Sequence, residues 1–255
     1  MPEVYDRCLG RALFAPFASH LAQRAAALGP RRVVELAAGT GITTAQLVRA
    51  LPGADITATD LNPAMVSWAA ERVAGATWQQ GDAQRLDLPD ACADLVVCQF
   101  GVMFFPDKAA AFAEIARILA PGGTLLFSTW DAVEASDFPA AMVASLAAMF
   151  PDSPPSFIVR VPHGYADPDR IRLDVQSAGL LVQSIEPLVL RGKSASAQLL
   201  AEGFAMGTPL RFELQDLGPL GSLTQQLAQD MTRRLGDGPV EGDLAAFLVT
   251  ARKPD

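Results

Sequence analysis

The sequence predicts an α/β fold built on a doubly wound, largely parallel sheet. Three observations carry the prediction. Short apolar runs of strand length alternate with helix-length segments through the first half of the chain. The first run, residues 33–36, opens into Gly39-Thr40-Gly41 and then a helical stretch at 42–50. The second, 54–59, ends on Asp60, nineteen residues after Gly41. Strand, glycine turn, helix and acidic strand end together describe a nucleotide-binding βαβ unit, with the carboxylate set to accept ribose hydroxyls.

Each element has its own signal. Residues 4–28 read as one or two helices, with Leu9, Leu13, Phe17 and Leu21 as a buried stripe and Pro16 as a break. Gly29-Pro30 closes that segment. After the strand at 54–59, Asn62 caps a helix at 63–73 that starts on Pro63. A strand at 77–80 follows, then a loop at 86–91. Leu95, Val96 and Val97 sit in a fourth strand, 94–98, apolar enough to be buried on both faces. A helix at 108–119 and a fifth strand at 124–129 complete the alternation.

Beyond Trp130 the pattern changes. A helix is predicted at 138–150, capped by Asp137, with Pro139 tolerated in its first turn. The proline-rich stretch 152–167 reads as a long loop. Asp167 caps a helix at 168–178, which Gly179 ends. Strands at 180–190 and 244–251 and helices at 196–206 and 222–234 fill the remainder.

Composition narrows the function classes. The chain has 255 residues, half of them hydrophobic, enough for one α/β domain with an added cap. A net charge of −8 opposes the phosphate attraction that a nucleic-acid acceptor requires. Cys8, Cys92 and Cys98 form no Cys-x-x-Cys pair, and His20 and His163 stand at no metal-ligand spacing from them. No metal site is expected, and free thiols imply a reducing compartment. No apolar signal segment follows a basic start, and the apolar run 140–150 is too short to span a bilayer. The expected location is cytoplasmic. The oligomeric state is left open, a homodimer among the options.

The glycine turn decides which nucleotide fits. A dinucleotide fold needs Gly-x-Gly-x-x-Gly so that a pyrophosphate can sit on the helix N-terminus. Here Gly39 and Gly41 fill the first two positions, Thr44 stands at the third, and Glu35 lies inside the preceding strand. A ligand with ribose and adenine but no phosphate fits better, and S-adenosylmethionine (SAM) is one. Gly81-Asp82-Ala83, at a third strand end, adds to the pattern.

With these motifs the chain resembles the class I SAM-dependent methyltransferases, close to the group of ubiquinone/menaquinone-biosynthesis C-methyltransferases (methyltransferase type 11). Segments 33–41, 59–65, 80–88, 94–107 and 115–130 carry the likeness. The resemblance implies a Rossmann-like, seven-stranded sheet whose last pair is antiparallel, covered by a helical lid. It implies a single domain over 1–255, with a SAM-binding core at 30–130 and lid insertions at 131–179 and 191–240. Many members have glycine where this chain has Ala37. The turn is expected to survive with Ala37 extended, at negative φ.

The resemblance also assigns roles. Glu35, Ala37, Gly39, Thr40 and Gly41 would hold the methionine part and ribose, and Asp60 the ribose hydroxyls. Leu61 and Met65 would cover the adenine, Met65 being equally an ordinary helix core residue. Asp82 would meet the adenine amino group, or else cap its own loop. Ala83 would supply an amide to the ring. Gln99 and Phe100 follow strand four, facing the methyl group, and the absence of Asn/Asp-Pro-Pro-Tyr/Phe there argues against base N-methylation. Tyr5 would close the N-terminal helix over SAM, and Trp130 would wall the site. His163 is the candidate general base, against the plainer alternative of a surface-loop histidine.

The expected function is therefore methyl transfer from SAM to a small, mostly apolar organic acceptor. The apolar expectation rests on charge-poor lid segments at 138–150, 157–161 and 204–210. The rivals are a SAM-binding enzyme of this fold that catalyses another step, a SAM-binding regulatory protein, and an NAD-linked dehydrogenase.

Overall fold

A computed structural model describes residues 2–255. In chain order the elements are α1 Pro2–Tyr5, a π-helix Asp6–Phe14, α2 Ala15–Leu28, β1 Arg32–Glu35, α3 Ile42–Ala50, β2 Asp55–Asp60 and α4 Pro63–Ala70. Then follow β3 Thr77–Gln80, β4 Ala93–Gln99, a 3-10 turn Val102–Phe104, α5 Lys108–Ile118 and β5 Leu119–Trp130. After a second 3-10 turn, Val133–Ala135, come α6 Asp137–Met149, α7 Phe157–Arg160, α8 Pro168–Ser177, β6 Leu181–Ser194, α9 Ala197–Gly207, α10 Leu210–Leu217, α11 Leu220–Leu235 and β7 Val240–Arg252. The seven strands form one sheet in the order β3-β2-β1-β4-β5-β7-β6. Pairing is parallel through the first five strands, and β7 runs antiparallel to β5 from Thr124↔Arg252 to Trp130↔Ala246. The Rossmann-like sheet with an antiparallel end is as the sequence predicts. The strand order reverses beside β1, which puts the ends of β1, β2 and β4 at the switch point where such sheets bind ligands.

The chain divides into two compact units. A sheet unit comprises Phe17–Trp130, Tyr165–Leu188 and Ala246–Asp255. A helical unit comprises residues 2–16, Asp131–Gly164 and Val189–Ala245.

In the sheet unit, one face of the sheet packs Val33, Ile56, Leu95, Val97, Leu126 and Leu248 against Leu21 and Ala25 of α2 and Leu47 of α3. Phe112 of α5 lies against Phe127 of β5 at 5.8 Å between ring centroids. Leu95 to Cys98 are wholly buried, as expected for a central parallel strand. The predicted caps hold: Asn62 accepts from the Ala64 amide at 3.0 Å, and Asp167 from the Asp169 amide at 2.9 Å. Helix α4 stops at Ala70, short of the predicted end, because residues 71–72 form a turn.

In the helical unit α6, α9 and α11 pack around Phe138, Met142, Leu200, Leu227 and Met231, all buried. The π-helix meets α9 at Gly203, where a Cβ would come within 2.7 Å of Cys8 and Leu9. Among the described residues no helix is long and apolar enough to cross a membrane, and no cluster of His, Cys, Asp or Glu could hold a metal ion.

Four expectations need correction here. The break expected at Pro16 is a change of helix type. Proline cannot donate to the Ala12 carbonyl. The turn ahead of it winds instead in π register, with the Ala15 amide donating to the Gly10 carbonyl. Gly192 packs on that stretch, since a Cβ there would lie 2.6 Å from the Ala12 oxygen. Second, residues 152–167 are not structureless. They hold α7, whose first amides at Ser156 and Phe157 donate to Glu213 Oε2 at 2.8 and 3.0 Å. Glu213 stands on α10, a helix the sequence reading left out. Third, Ser136 rather than Asp137 occupies the cap of α6. Asp137 turns away to accept from the Asp243 amide at 2.7 Å.

Fourth, the reason for Gly41. Its φ of 84° is left-handed, as expected, but the space around it is filled by protein. A Cβ there would stand 3.0 Å from Trp78, 3.1 Å from Val73 and 3.2 Å from Ala69. A branched residue would therefore strike the core, not a ligand. Gly41→Val should cost about 2–5 kcal/mol, combining left-handed strain with overpacking. Urea unfolding measures it, and an unchanged midpoint would contradict the packing argument.

Candidate functional site

The site is built where β1, β2 and β4 end, within the sheet unit. Strand β1 holds Glu35 on its last residue and β2 holds Asp60 on its last, because the two pair in register from Arg32↔Asp55 to Glu35↔Ala58. The turn 36–41 is stitched to both neighbours. The Leu36 amide donates to the Val97 carbonyl at 2.8 Å, and the Ala38 amide to the Thr59 carbonyl at 2.9 Å. The Asp60 carboxylate then spans the gap. Oδ2 accepts from the Gly39 amide and Oδ1 from the Asn62 amide, both at 2.8 Å. Each oxygen keeps a second lone pair for a ligand hydroxyl. Burial pushes the Asp60 carboxyl above the usual range, and the two amides work against that shift.

Glu35 is 1% exposed, and burial pushes it up to about 8. The Thr44 hydroxyl, which faces it without completing a hydrogen bond, opposes the shift, and the Asp60 charge adds to it. Its Oε2 has no hydrogen-bond partner. Cys98, wholly buried on β4 beside this pair, has its thiol pushed up to about 12 by burial.

Ala37 departs from the expectation of an extended residue: its φ is 52°. The tie of the Ala38 amide to β2 forces the left-handed turn whether or not residue 37 is glycine. The misfit is met across the site. A Cβ on Gly101 would come within 2.5 Å of the Ala37 Cβ and 2.7 Å of Cys98 Sγ, so residue 101 has given up its side chain to make room. Phe100 is left-handed too, at φ 54°. Its amide donates to the Ser128 carbonyl at 3.0 Å, and its ring stacks flat on Trp130 at 3.7 Å between centroids. Phe17 closes edge-on to both rings. Two left-handed non-glycine residues thus flank one candidate site, a concentration of backbone strain.

The remaining candidates fall as follows. Gly39, at φ 57°, has no atom within 4 Å of where a Cβ would stand, so space is open beside it. Thr40 is buried in the turn. Leu61 is 64% exposed and Met65 partly buried, both beside the end of β2. Asp82 takes the geometry of a loop cap, accepting from the Gln84 amide at 2.9 Å, with Ala83 buried next to it. Gln99 ends β4. Trp130 packs under Phe100 instead of standing as a wall.

Tyr5 and His163 belong to the helical unit. Tyr5 stacks on Phe14 at 5.0 Å and packs against Gly207. His163 is not a surface histidine: it is buried, and Nδ1 lies 2.7 Å from the Asp131 carbonyl. A carbonyl only accepts, so the neutral ring carries its proton on Nδ1 and its lone pair on Nε2. Burial lowers its pKa, keeping the ring neutral at pH 7. Sequence reasoning missed Thr44 and Phe17 as site neighbours. Thr44 was visible as the occupant of the third glycine position, and Phe17 only as part of a helix stripe.

A sheet of this order, with a glycine turn after β1 and an acceptor carboxylate ending β2, defines a class I SAM-dependent methyltransferase fold. Residues 34–127 match the methyltransferase-domain family model. Relatives of that stretch include methyltransferases of ubiquinone and menaquinone biosynthesis. The chain is 40% identical over 110 residues to the demethylmenaquinone methyltransferase of Deinococcus radiodurans, covering 41% of this chain and 45% of that protein. It spans less than half the length of the curated relatives it matches. Among solved structures, the phosphoethanolamine N-methyltransferase 2 of Haemonchus contortus superposes with a TM-score of 0.61 at 16% identity, over 100% of this chain and 57% of that one. The [4+2]-cyclase SpnF superposes at 0.62 and 20% identity, over 94% and 81%. The fold is thus shared beyond methyl transfer.

The Ala37–Gly101 trade is testable. Gly101→Ala should destabilise the protein by about 1–3 kcal/mol through overpacking. Ala37→Gly should be neutral or mildly stabilising, since it removes left-handed strain while loosening the unfolded chain. The double variant should recover part of the Gly101→Ala loss, the Cys98 contact holding back the remainder. A double-mutant cycle by denaturant unfolding reads the coupling; strict additivity would refute it.

Proposed function

We infer that the protein is a SAM-dependent methyltransferase acting on a small, mostly apolar organic acceptor. One observation carries the reading: the Asp60 carboxylate, fixed by the Gly39 and Asn62 amides beside open space at Gly39, has one lone pair left on each oxygen. That is the acceptor pattern a vicinal ribose diol needs. The methyltransferase-domain match over 34–127 supports methyl transfer.

The cofactor supplies an activated methyl group on a sulfonium, which is already a good leaving group. The protein's own residues bind and align. Asp60 receives the ribose hydroxyls. Leu61, exposed beside it, covers the adenine, and Ala83 offers its amide to the ring. Glu35 and the turn 37–41 take the amino-acid part. Holding donor and acceptor in line at about 3–3.5 Å can lower the barrier by about 7–11 kcal/mol. Of the expected lid segments, 131–179 and 191–240, residues 165–179 belong to the sheet unit, and the charge-poor stretches at 138–150, 157–161 and 204–210 favour an apolar acceptor. The acidic balance of the chain sets nucleic acid aside, and the free thiols suit the cytoplasm. His163, neutral with its lone pair on Nε2, is the candidate base for an acceptor that still holds a proton.

SAM and its demethylated product should bind in the micromolar range and raise the melting temperature. Ligand at about 100 times its dissociation constant adds about 2.7 kcal/mol. Asp60→Ala should weaken both by ten-fold or more, the loss of charge-assisted bonds at about 1.5–3 kcal/mol each. Calorimetry with no heat for either ligand, or unchanged affinity in folded Asp60→Ala protein, defeats the assignment. Mass spectrometry of phenol, quinone, amine and carboxylate panels identifies a methylated product.

His163→Gln tests the base. As a base it should cost about 10²–10⁴-fold in turnover with SAM affinity unchanged. Raised acceptor KM with intact turnover would instead mark a pocket residue. Wild-type kinetics would remove it from the reaction altogether.

A further inference from the structure

The aromatic cluster at the ends of β4 and β5 holds a strained residue of the sheet unit in place. Phe100 follows β4 with φ 54°, a left-handed backbone that an L-residue resists. Its amide donates to the Ser128 carbonyl at 3.0 Å, and its ring lies on Trp130 at 3.7 Å between centroids and 5° between planes. Phe17 of α2 meets both rings edge-on, at 5.1 and 5.2 Å. Trp130, the last residue of β5, is fixed in turn by its pairing with Ala246 of β7. The strain of one left-handed L-residue and the attraction of a stacked aromatic pair are of similar size. The stack therefore decides whether Phe100 keeps this backbone.

The residue after Phe100 carries that conformation to the ligand turn. A Cβ on Gly101 would stand 2.5 Å from the Ala37 Cβ and 2.7 Å from Cys98 Sγ. The Ala37 methyl group thus rests directly on the backbone of residue 101. On either side of Ala37 the turn is tied by its own amides, Leu36 to the Val97 carbonyl at 2.8 Å and Ala38 to the Thr59 carbonyl at 2.9 Å. Gly39 is tied further on, to Asp60 Oδ2 at 2.8 Å. Ala37, itself left-handed at φ 52°, takes side-chain support from residue 101. A path runs from Trp130 through Phe100 and Gly101 to Ala37, each step a bond or a contact within the sheet unit. Close-packed interiors transmit strain in this way.

We propose that Trp130 is a positioning residue: its ring presets, through Phe100 and Gly101, the part of the turn at Ala37 that receives the amino-acid end of the cofactor. The inference rests on the reading of this site as a SAM site. Trp130 touches no part of the ligand in this role. Without its ring Phe100 relaxes out of the left-handed region, Gly101 shifts, and Ala37 loses its support. The ribose side is spared, since Asp60 and Gly39 hold each other independently of residue 101. The loss falls selectively on ligands that carry an amino-acid end, a pattern that general weakening of the fold does not produce.

Calorimetry on the full chain compares S-adenosylhomocysteine with 5′-methylthioadenosine, which keeps the adenosine and the sulfur but has no amino-acid end. Trp130→Leu should weaken S-adenosylhomocysteine about ten-fold, within the range of couplings measured along packed paths, and leave 5′-methylthioadenosine little changed. Trp130→Phe, which keeps a flat ring on Phe100, should restore wild-type affinity for both. In an Ala37→Gly background the methyl contact with residue 101 is gone, so Trp130→Leu should lose most of its selective effect. Denaturant unfolding of each variant establishes that it is folded under the titration conditions.

Equal loss for both ligands in Trp130→Leu would overturn the inference and leave the SAM site standing. So would a selective loss that persists undiminished with Ala37→Gly, because the path would then not run through residue 37. Should Trp130→Leu fail to fold, Phe100→Leu breaks the same stack with a smaller loss of volume. Measured with and without Ala37→Gly, it decides by the same ratio of affinities. Wild-type protein that binds neither SAM nor S-adenosylhomocysteine would remove the SAM reading, and this inference with it.

Discussion

The Asp60 carboxylate is the constraint on which the site depends. It sits at the end of β2 and accepts from two amides on different segments, Gly39 in the turn after β1 and Asn62 at the start of α4. One side chain thus fixes the exit from β1 and the entry to α4, and it does so from a buried position where an unmet charge is costly. The same two hydrogen bonds orient its remaining lone pairs outward.

Closing the turn that tightly has a consequence at Ala37. Its backbone is left-handed, which an L-residue resists by about 1–2 kcal/mol. The strain persists because the surroundings over-determine it: the Leu36 amide is tied to β4 and the Ala38 amide to β2. The extra methyl group is absorbed by Gly101, on the far side of the site. Phe100, between them in the site, is left-handed as well and is pinned by its stack on Trp130 and the edge contact of Phe17. The strained residues thus follow two neighbouring strands, β1 and β4.

This explains what could be read from the sequence. The parallel core was legible because its strands are buried on both faces and its helices begin with strong local caps at Asn62 and Asp167. Signals of that kind act over a few residues and need no tertiary knowledge. The misreadings came where distant partners decided the outcome. Asp137 is a good cap by type, yet the Asp243 amide claims it. The stretch after Phe150 looks irregular, yet Glu213 nucleates a helix in it from fifty-odd residues away. Gly41 was legible as a left-handed glycine but not as one walled in by Trp78, Val73 and Ala69. Within the site, residue types and spacing located Glu35 and Asp60, whereas the burial that sets their protonation is a property of the assembled sheet.

Glu35 shows why that last distinction matters. An apolar residue on β1 would pack as its neighbours Val33 and Val34 do and would strengthen the strand. A buried carboxyl with an unmet oxygen costs about 1–3 kcal/mol instead. Thr59 and Thr44 soften its surroundings without satisfying it: the Thr59 hydroxyl donates to the Glu35 backbone carbonyl at 3.2 Å, not to its side chain. The protein has put hydroxyls around the group and withheld a cation. Leaving the oxygen unpaired favours the acid form, and the stability this group contributes is lost as pH rises towards about 8.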